Sequence, residues 1–241
     1  MAPDALARFA LAVSGRDDEI ELDAAAALIG EVDGPVDLEI IRLELDRLAA
    51  IAAGVRAGSV PGPWAGARAV VGALFQSGGF RGNADDYYDP RNSFLQHVLA
   101  RRTGIPITLS VVFLEVARRI GVTAAGVGFP GHFLVRVDEP DQAPLILDPF
   151  HGGAELDESA LVALHRKISG AELALSPALL EPMPRRKILA RMLHNLAGIY
   201  GSRGDWFVSL EVLERLALVE GDNPRIARDL QSLRQRVAAL N

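Results

Sequence analysis

The chain has 241 residues, 49% of them hydrophobic, which is enough for one large domain or a domain with an appendage. Its formal net charge of −6 argues against a nucleic-acid partner, which needs a clustered basic surface, and no stretch is long and apolar enough to span a bilayer. With no cysteine, disulfides, thiolate metal ligands and thiol catalysis are excluded, and a cytoplasmic setting is expected.

The opening "MAPDALARFALAVSGRDDEI" carries Asp4 and Arg8 inside its apolar stretch and is read as no signal peptide. "ELDAAAALIGEVDG" reads as helix up to Gly34-Pro35. "VDLEIIRLELDRLAAIAAG" predicts a helix with Leu38, Ile41, Leu45 and Leu48 on one face and Asp37 as N-cap. "GSVPGPWAG" is a loop, and "ARAVVGALFQSGG" a short helix stopped by its glycines. "DDYYDPRNSFLQHVLARRTG" begins as a turn and becomes a helix that buries Phe94, Leu95, Val98 and Leu99, with Gly104 as its stop.

A helix then starts at Pro106, a residue suited to the first helical position because its missing N–H would have no partner there. Leu109, Val112, Phe113, Val116 and Ile120 form its apolar set, and Gly121 ends it. "TAAGVGF" reads as a strand. "GFPGHFLVRVDEPDQAPLILDPF" reads as a hairpin, with His132 opening the first strand and Asp148 closing the second. A helix N-capped by Asp157 follows. "SPALLEPMPRR" looks like a boundary, and from about 185 the chain is helical throughout. There a helix ending near Tyr200, the turn "SRGDW", a helix carrying Leu210, Leu213 and Leu216, and a last helix resemble one tetratricopeptide-type hairpin with a capping helix. Ser209 stands where alanine is usual. A lone unit of this kind must pack on the preceding domain or on a partner.

The order of helix, strand with His and strand with Asp resembles the transglutaminase-like core, a papain-related α+β fold. The run from "FRGNADDYYDPRNSF" through "GIPITLSVVFLEVARRIGV" to "GFPGHFLVRV" and "LDPFHGG" is most similar to the SirB-one type of bacterial transglutaminase-like proteins, whose members often carry tetratricopeptide-type helices behind the core. The resemblance spans roughly residues 20–225. It implies a papain/transglutaminase-like core, helices on a small antiparallel sheet, followed by an all-helical extension. The expected parts are 1–60, the N-terminal helices; 61–175, the core; and 185–241, the tetratricopeptide-like hairpin with its capping helix.

In transglutaminase-like enzymes the thiol lies at the start of the buried helix, where the helix N-terminus favours a thiolate and offers backbone N–H groups to an oxyanion. Here that position falls on Pro106, which has neither nucleophile nor N–H. His132 matches the family's histidine, and Asp148, sixteen residues on, matches its orienting carboxylate. The pair is either a base held in one tautomer or a structural pair that steadies the hairpin. Ser110 and Thr108 lie in the same helix. Ser110 is about a turn past the expected site, and the simpler reading is a small helix residue bonding back to the carbonyl at i−4.

In "GNADDYYDPRNSF", Asn83, Asp89, Arg91 and Asn92 read either as polar groups offered to a peptide, or with Asp89 or Asn92 as helix cap, Pro90 at the first position and the tyrosines anchoring the loop. Tyr87, Tyr88, Phe129 and His151 complete the candidate binding set. His151 could join His132 and Asp148 around a metal, but the regular spacing of a zinc helix is missing, so neither metal nor cofactor is expected.

Two functions are weighed. In the first, a core without its thiol binds a protein or peptide, a regulatory role being one use of such binding. In the second, His132 acts as general base with Asp148 on amide or peptide bonds, using water, or Ser110 or Thr108, as nucleophile.

Overall fold

The computed structural model describes residues 4–170 and 174–240. Its centre is α6 (Pro106–Arg119), in which every residue from Pro106 to Ala117 is buried. The apolar set predicts a well-buried helix, and the helix is covered all round, as befits the central element of a layered domain. Around it pack α2 (Leu22–Ile29), α3 (Leu38–Ala57), α4 (Ala65–Val71) and α5 (Leu95–Arg101), while α1 (Ala5–Ala12) packs on α2. The predicted caps form: the Asp37 carboxylate accepts from the N–H groups of Glu39 and Ile40 at the start of α3. Beyond Val71 the α4 helix widens into a π-type turn over Gly72–Ser77, where the Ser77 hydroxyl donates to the Gly72 carbonyl.

The sheet is antiparallel, in the order β3 (Ala124–Val127), β4 (Leu134–Val137), β5 (Leu145–Asp148), β6 (Ala154–Glu155). Val135 pairs with Leu147 and Val127 with Leu134. One face sends Phe133, Val135, Val137 and Leu147 into the main core. The other sends Val127, Leu134 and Ile146 into a smaller cluster with Leu161 of α7 (Glu158–Ser169). Burial on both faces explains why the strands read as nearly continuous apolar runs. The proline-rich stretch after α7 lines the sheet edge: Pro182 bridges to Val127, and the Met183 N–H donates to the Gly126 carbonyl.

Three expectations differ from the structure. Gly104 does not stop α5. The helix ends at Arg101, Arg102 takes a left-handed turn (φ 57°), and Thr103–Gly104 forms a short strand β2, parallel to β1 (Arg81–Gly82). Asp89 caps a single turn over Pro90–Asn92 rather than the following helix. That helix starts at Leu95 behind Phe94, without a side-chain cap. His132 sits in the turn two residues before β4 instead of opening it.

The C-terminal helices α8 (Arg185–Arg203), α9 (Trp206–Glu220) and α10 (Pro224–Ala238) pack in series, α8 on α9 and α9 on α10. They also dock on the rest of the chain: α8 meets α2 and α6, and α9 meets α1. One continuous apolar cluster thus runs from Phe9 to Leu230. Ser209 is buried with its hydroxyl unpartnered, so it fills the place of a small apolar residue.

Arg119, at the end of α6, ties three helices together. It bonds to Asp23 of α2, Asp46 of α3 and Glu115 of its own helix, each at 2.7 Å. Burial works against its charge, yet these three carboxylates hold its guanidinium well above the usual arginine value. Removing one member of such a buried group strands the charges it neutralised. Arg118 still reaches Glu115 at 2.9 Å, so Arg119→Met is expected to cost about 2–3 kcal/mol rather than the full effect of an unpaired buried charge. Urea unfolding would read this; a loss below about 0.5 kcal/mol would contradict it.

Candidate functional site

The turn between β3 and β4 places His132, and the end of β5 places Asp148. Both side chains are buried, with Asp148 only 1% exposed. His132 Nε2 lies 3.0 Å from each carboxylate oxygen. His151 Nδ1 reaches the same carboxylate at 2.7 Å. The backbone N–H groups of Phe150 and His151 donate to it at 3.0 and 3.3 Å, so Asp148 also caps the turn that follows the strand. Burial pushes its carboxyl upward, but the bonds from the two histidines prevail and hold it below the usual carboxylate range.

An ionised carboxylate only accepts, so both rings must donate to it. Neutral His132 then carries its proton on Nε2 and leaves Nδ1 as an unprotonated acceptor, with the ring's hydrogen bonds among the described residues all made through Nε2. His132, Asp148 and His151 bring one ligand atom each within 4.8 Å of one another, close enough to hold a metal ion. As they stand, the two imidazole N–H groups and the shared carboxylate satisfy each other.

His132 lines a cleft of about 220 Å³ together with Pro106 and Ile107 at the start of α6, Tyr87 from the loop before α5, and Arg191 and Asn195 from α8. Imidazole and helix start therefore share one cavity. Gly131 lines it too, with φ +70°. A Cβ there would sit 2.6 Å from Ile168, so this tight turn before the histidine calls for glycine. A larger depression, about 610 Å³, lies beside the α6–β3 turn. Its charged groups are already engaged: Asp17 accepts from the backbone of Arg185 and Arg186, and Glu115 pairs with Arg118.

The other sequence candidates are placed as follows. Ser110 donates to the Pro106 carbonyl at 2.8 Å and Thr108 to the Asn92 carbonyl at 2.5 Å. Neither lines the cleft. Asn92 is fully buried and donates to the Asp86 carbonyl, while Asn83 donates to Asn92. Asp89 is buried and paired with Arg91 and Arg101 at 2.9 and 3.2 Å. These four polar residues thus hold their own loop together, and Arg91 spends its charge on Asp89. Tyr87 stacks edge-on against Phe150 and Tyr88, while Tyr88 is 71% exposed. Phe129 is buried in the smaller cluster under α7.

Sequence reading missed Arg191 and Asn195. They are one turn apart on α8, far along the chain from every motif, and nothing local marks them. Their shared helix face is a weak signal that tertiary packing alone turns into a cleft wall.

Comparison with known proteins agrees with this geometry. Residues 41–194 match a family model described as transglutaminase-like superfamily. That range runs from α3 into α8 and contains the cleft wall except Asn195. A UPF0162 protein of Xylella fastidiosa is 44% identical over 159 residues, covering 65% of this chain and 56% of that protein. A UPF0162 protein of Vibrio cholerae is 28% identical over 156 residues. F-box only protein 21 of mouse is 34% identical over 130 residues, half of this chain and 19% of its own length. The chain thus spans a little over half the length of the UPF0162 relatives. No solved structure matches it, and no helix among the described residues is long and apolar enough to cross a membrane. With His132 and the buried helix start on one cavity, Asp148 bonded to the imidazole behind it, and all three inside the matched range, the chain belongs to the transglutaminase-like superfamily.

Proposed function

We propose that the cleft beside His132 binds a peptide or protein segment without cleaving it. The observation that carries this reading is the meeting of Pro106 and His132 on one cavity. The helix start where the resemblance places a nucleophile holds a residue with no reactive atom, while the cleft, the imidazole and its carboxylate persist. The nearby hydroxyls of Thr108 and Ser110 are buried and bonded to carbonyls, which leaves neither free to attack. We assign the chain to the SirB-one type, acting in the cytoplasm, and read α8–α10 as a tetratricopeptide-type hairpin with its capping helix. In this reading α8 adds a wall to the cleft, and α9–α10 offer a second surface to the partner.

The test is a titration of the ¹⁵N-labelled full chain with a short acetylated, glutamine-containing peptide. Amide shifts are expected to cluster at Ile107, Gly131 and His132, with no ammonia released. Hydrolysis or transfer of the glutamine amide that disappears in His132→Ala would contradict the proposal.

One feature favours a second reading, catalysis through water. Asp148 fixes His132 in the tautomer that leaves Nδ1 able to accept a proton. Such an activity would vanish in His132→Gln, and full activity in that variant would remove the reading.

A further inference from the structure

The polar groups of the cleft are mostly donors, and several have no partner. Arg191 is half-buried and forms no ion pair with any carboxylate among the described residues. Its guanidinium lies 5.4 Å above the Phe133 ring, and Nη2 donates to the carbonyls of His132 and Phe129 at 2.5 and 3.4 Å. Those bonds aim the group while leaving its charge uncompensated. Burial presses its pKa down, and the facing Tyr87 acts in the opposite sense. Asn195, one turn further along α8, makes no side-chain hydrogen bond among the described residues and lines the same cavity. Opposite them stands the start of α6, a 14-residue helix with no side-chain cap. Pro106 has no N–H and Leu109 donates to the Ile105 carbonyl, so the N–H groups of Ile107 and Thr108 are the ones without an acceptor inside the helix, and the dipole places partial positive charge there.

Resting on the peptide-binding reading above, we propose that the cleft is a carboxylate-binding subsite, with Arg191 and Asn195 on one side and the N-terminus of α6 on the other. The single cation suits a singly charged carboxylate, and about 220 Å³ holds such a group with little more than the residue that carries it. Arg191 supplies a planar fork that matches a carboxylate. Asp148 does not compete, because its own carboxylate is buried behind His132 and fully engaged with donors. The ligand is a peptide's C-terminal carboxylate or a Glu or Asp side chain.

Three probes separate the possibilities in NMR titrations of the full chain: acetyl-Ala-Ala with a free C-terminus, the same dipeptide amidated, and acetyl-glutamic acid α-amide, which carries only a side-chain carboxylate. At least one acid is expected to shift Ile107, Gly131 and His132, and whichever binds tighter names the source. The amidated dipeptide should bind about tenfold more weakly or not at all, the difference a charge-assisted pair makes. Arg191→Gln should remove the preference for acid over amide. Because Arg191 also braces the His132 turn, Asn195→Ala serves as the variant that leaves the brace intact, and it should weaken the acid by several-fold. Equal binding of acid and amide at the cleft would overturn the carboxylate inference while peptide binding stands. No shift at the cleft with any probe would overturn both. Unchanged acid affinity in both variants would also sink the inference.

Discussion

Asp148→Ala is expected to destabilise the protein by about 3–5 kcal/mol, because it leaves several buried donors without their shared acceptor. Four donors converge on this carboxylate: Nε2 of His132, Nδ1 of His151, and the backbone N–H groups of Phe150 and His151. Alanine leaves a buried imidazole and the turn's N–H groups without an acceptor, at about 1–3 kcal/mol for each buried group left unsatisfied. Asp148→Asn should cost less, since its carbonyl still accepts from the turn, though its amide opposes an imidazole N–H. The Asn variant also exposes the pH dependence. The carboxyl is held below its ordinary value in the folded protein, so its ionised form stabilises the fold. That contribution is complete above the unfolded value of about 4 and is lost as pH falls through the lower folded value. Urea midpoints of wild type and Asp148→Asn should therefore differ most at neutral pH and converge towards pH 3. A constant gap across that range, or an Asp148→Ala loss under about 1 kcal/mol, would show that the carboxylate is not bound as described.

Much of this architecture can be read along the chain. Asp37 and Asp157 announce helix starts because a short acceptor beside an apolar period has few other uses, and both side chains do accept from first-turn N–H groups. The β4–β5 hairpin follows from its apolar runs, and the sixteen-residue step from His132 to Asp148 spans it to a direct hydrogen bond. Where reading along the chain falls short, the cause is tertiary. Gly104 looks like a helix stop, but Arg102 makes the left-handed turn and frees Thr103–Gly104 to pair with β1. Asn83, Asp89 and Asn92 read along the chain either as groups offered outward or, for Asp89 and Asn92, as caps of the following helix. Their loop folds back on itself, and the side chains satisfy its own backbone and each other. The second histidine on Asp148 was visible in "DPFHGG", yet only the turn geometry shows both rings donating to one carboxylate. Arg191 and Asn195 reach the cleft because α8 packs against α6, a contact that no local pattern encodes.

The second large effect concerns Pro106. If this residue occupies a nucleophile's place, a cysteine there should inherit the surroundings of one. It would sit at the uncapped start of α6, on the same cavity as the unprotonated nitrogen of His132 and the guanidinium of Arg191. Each of these favours a thiolate, and such settings lower a cysteine from about 8.5 into the range of about 3.5–7.5. Because the chain has no other cysteine, the thiolate absorbance of the Pro106→Cys protein reports one group without interference. The deciding measurement is that ultraviolet titration, run on Pro106→Cys and on Pro106→Cys with His132→Ala. The thiol is expected to ionise below about 7 in the first and to return towards about 8.5 in the second. Ionisation at or above about 8.5 in both proteins, indifferent to the histidine, would show that residue 106 never faced that imidazole.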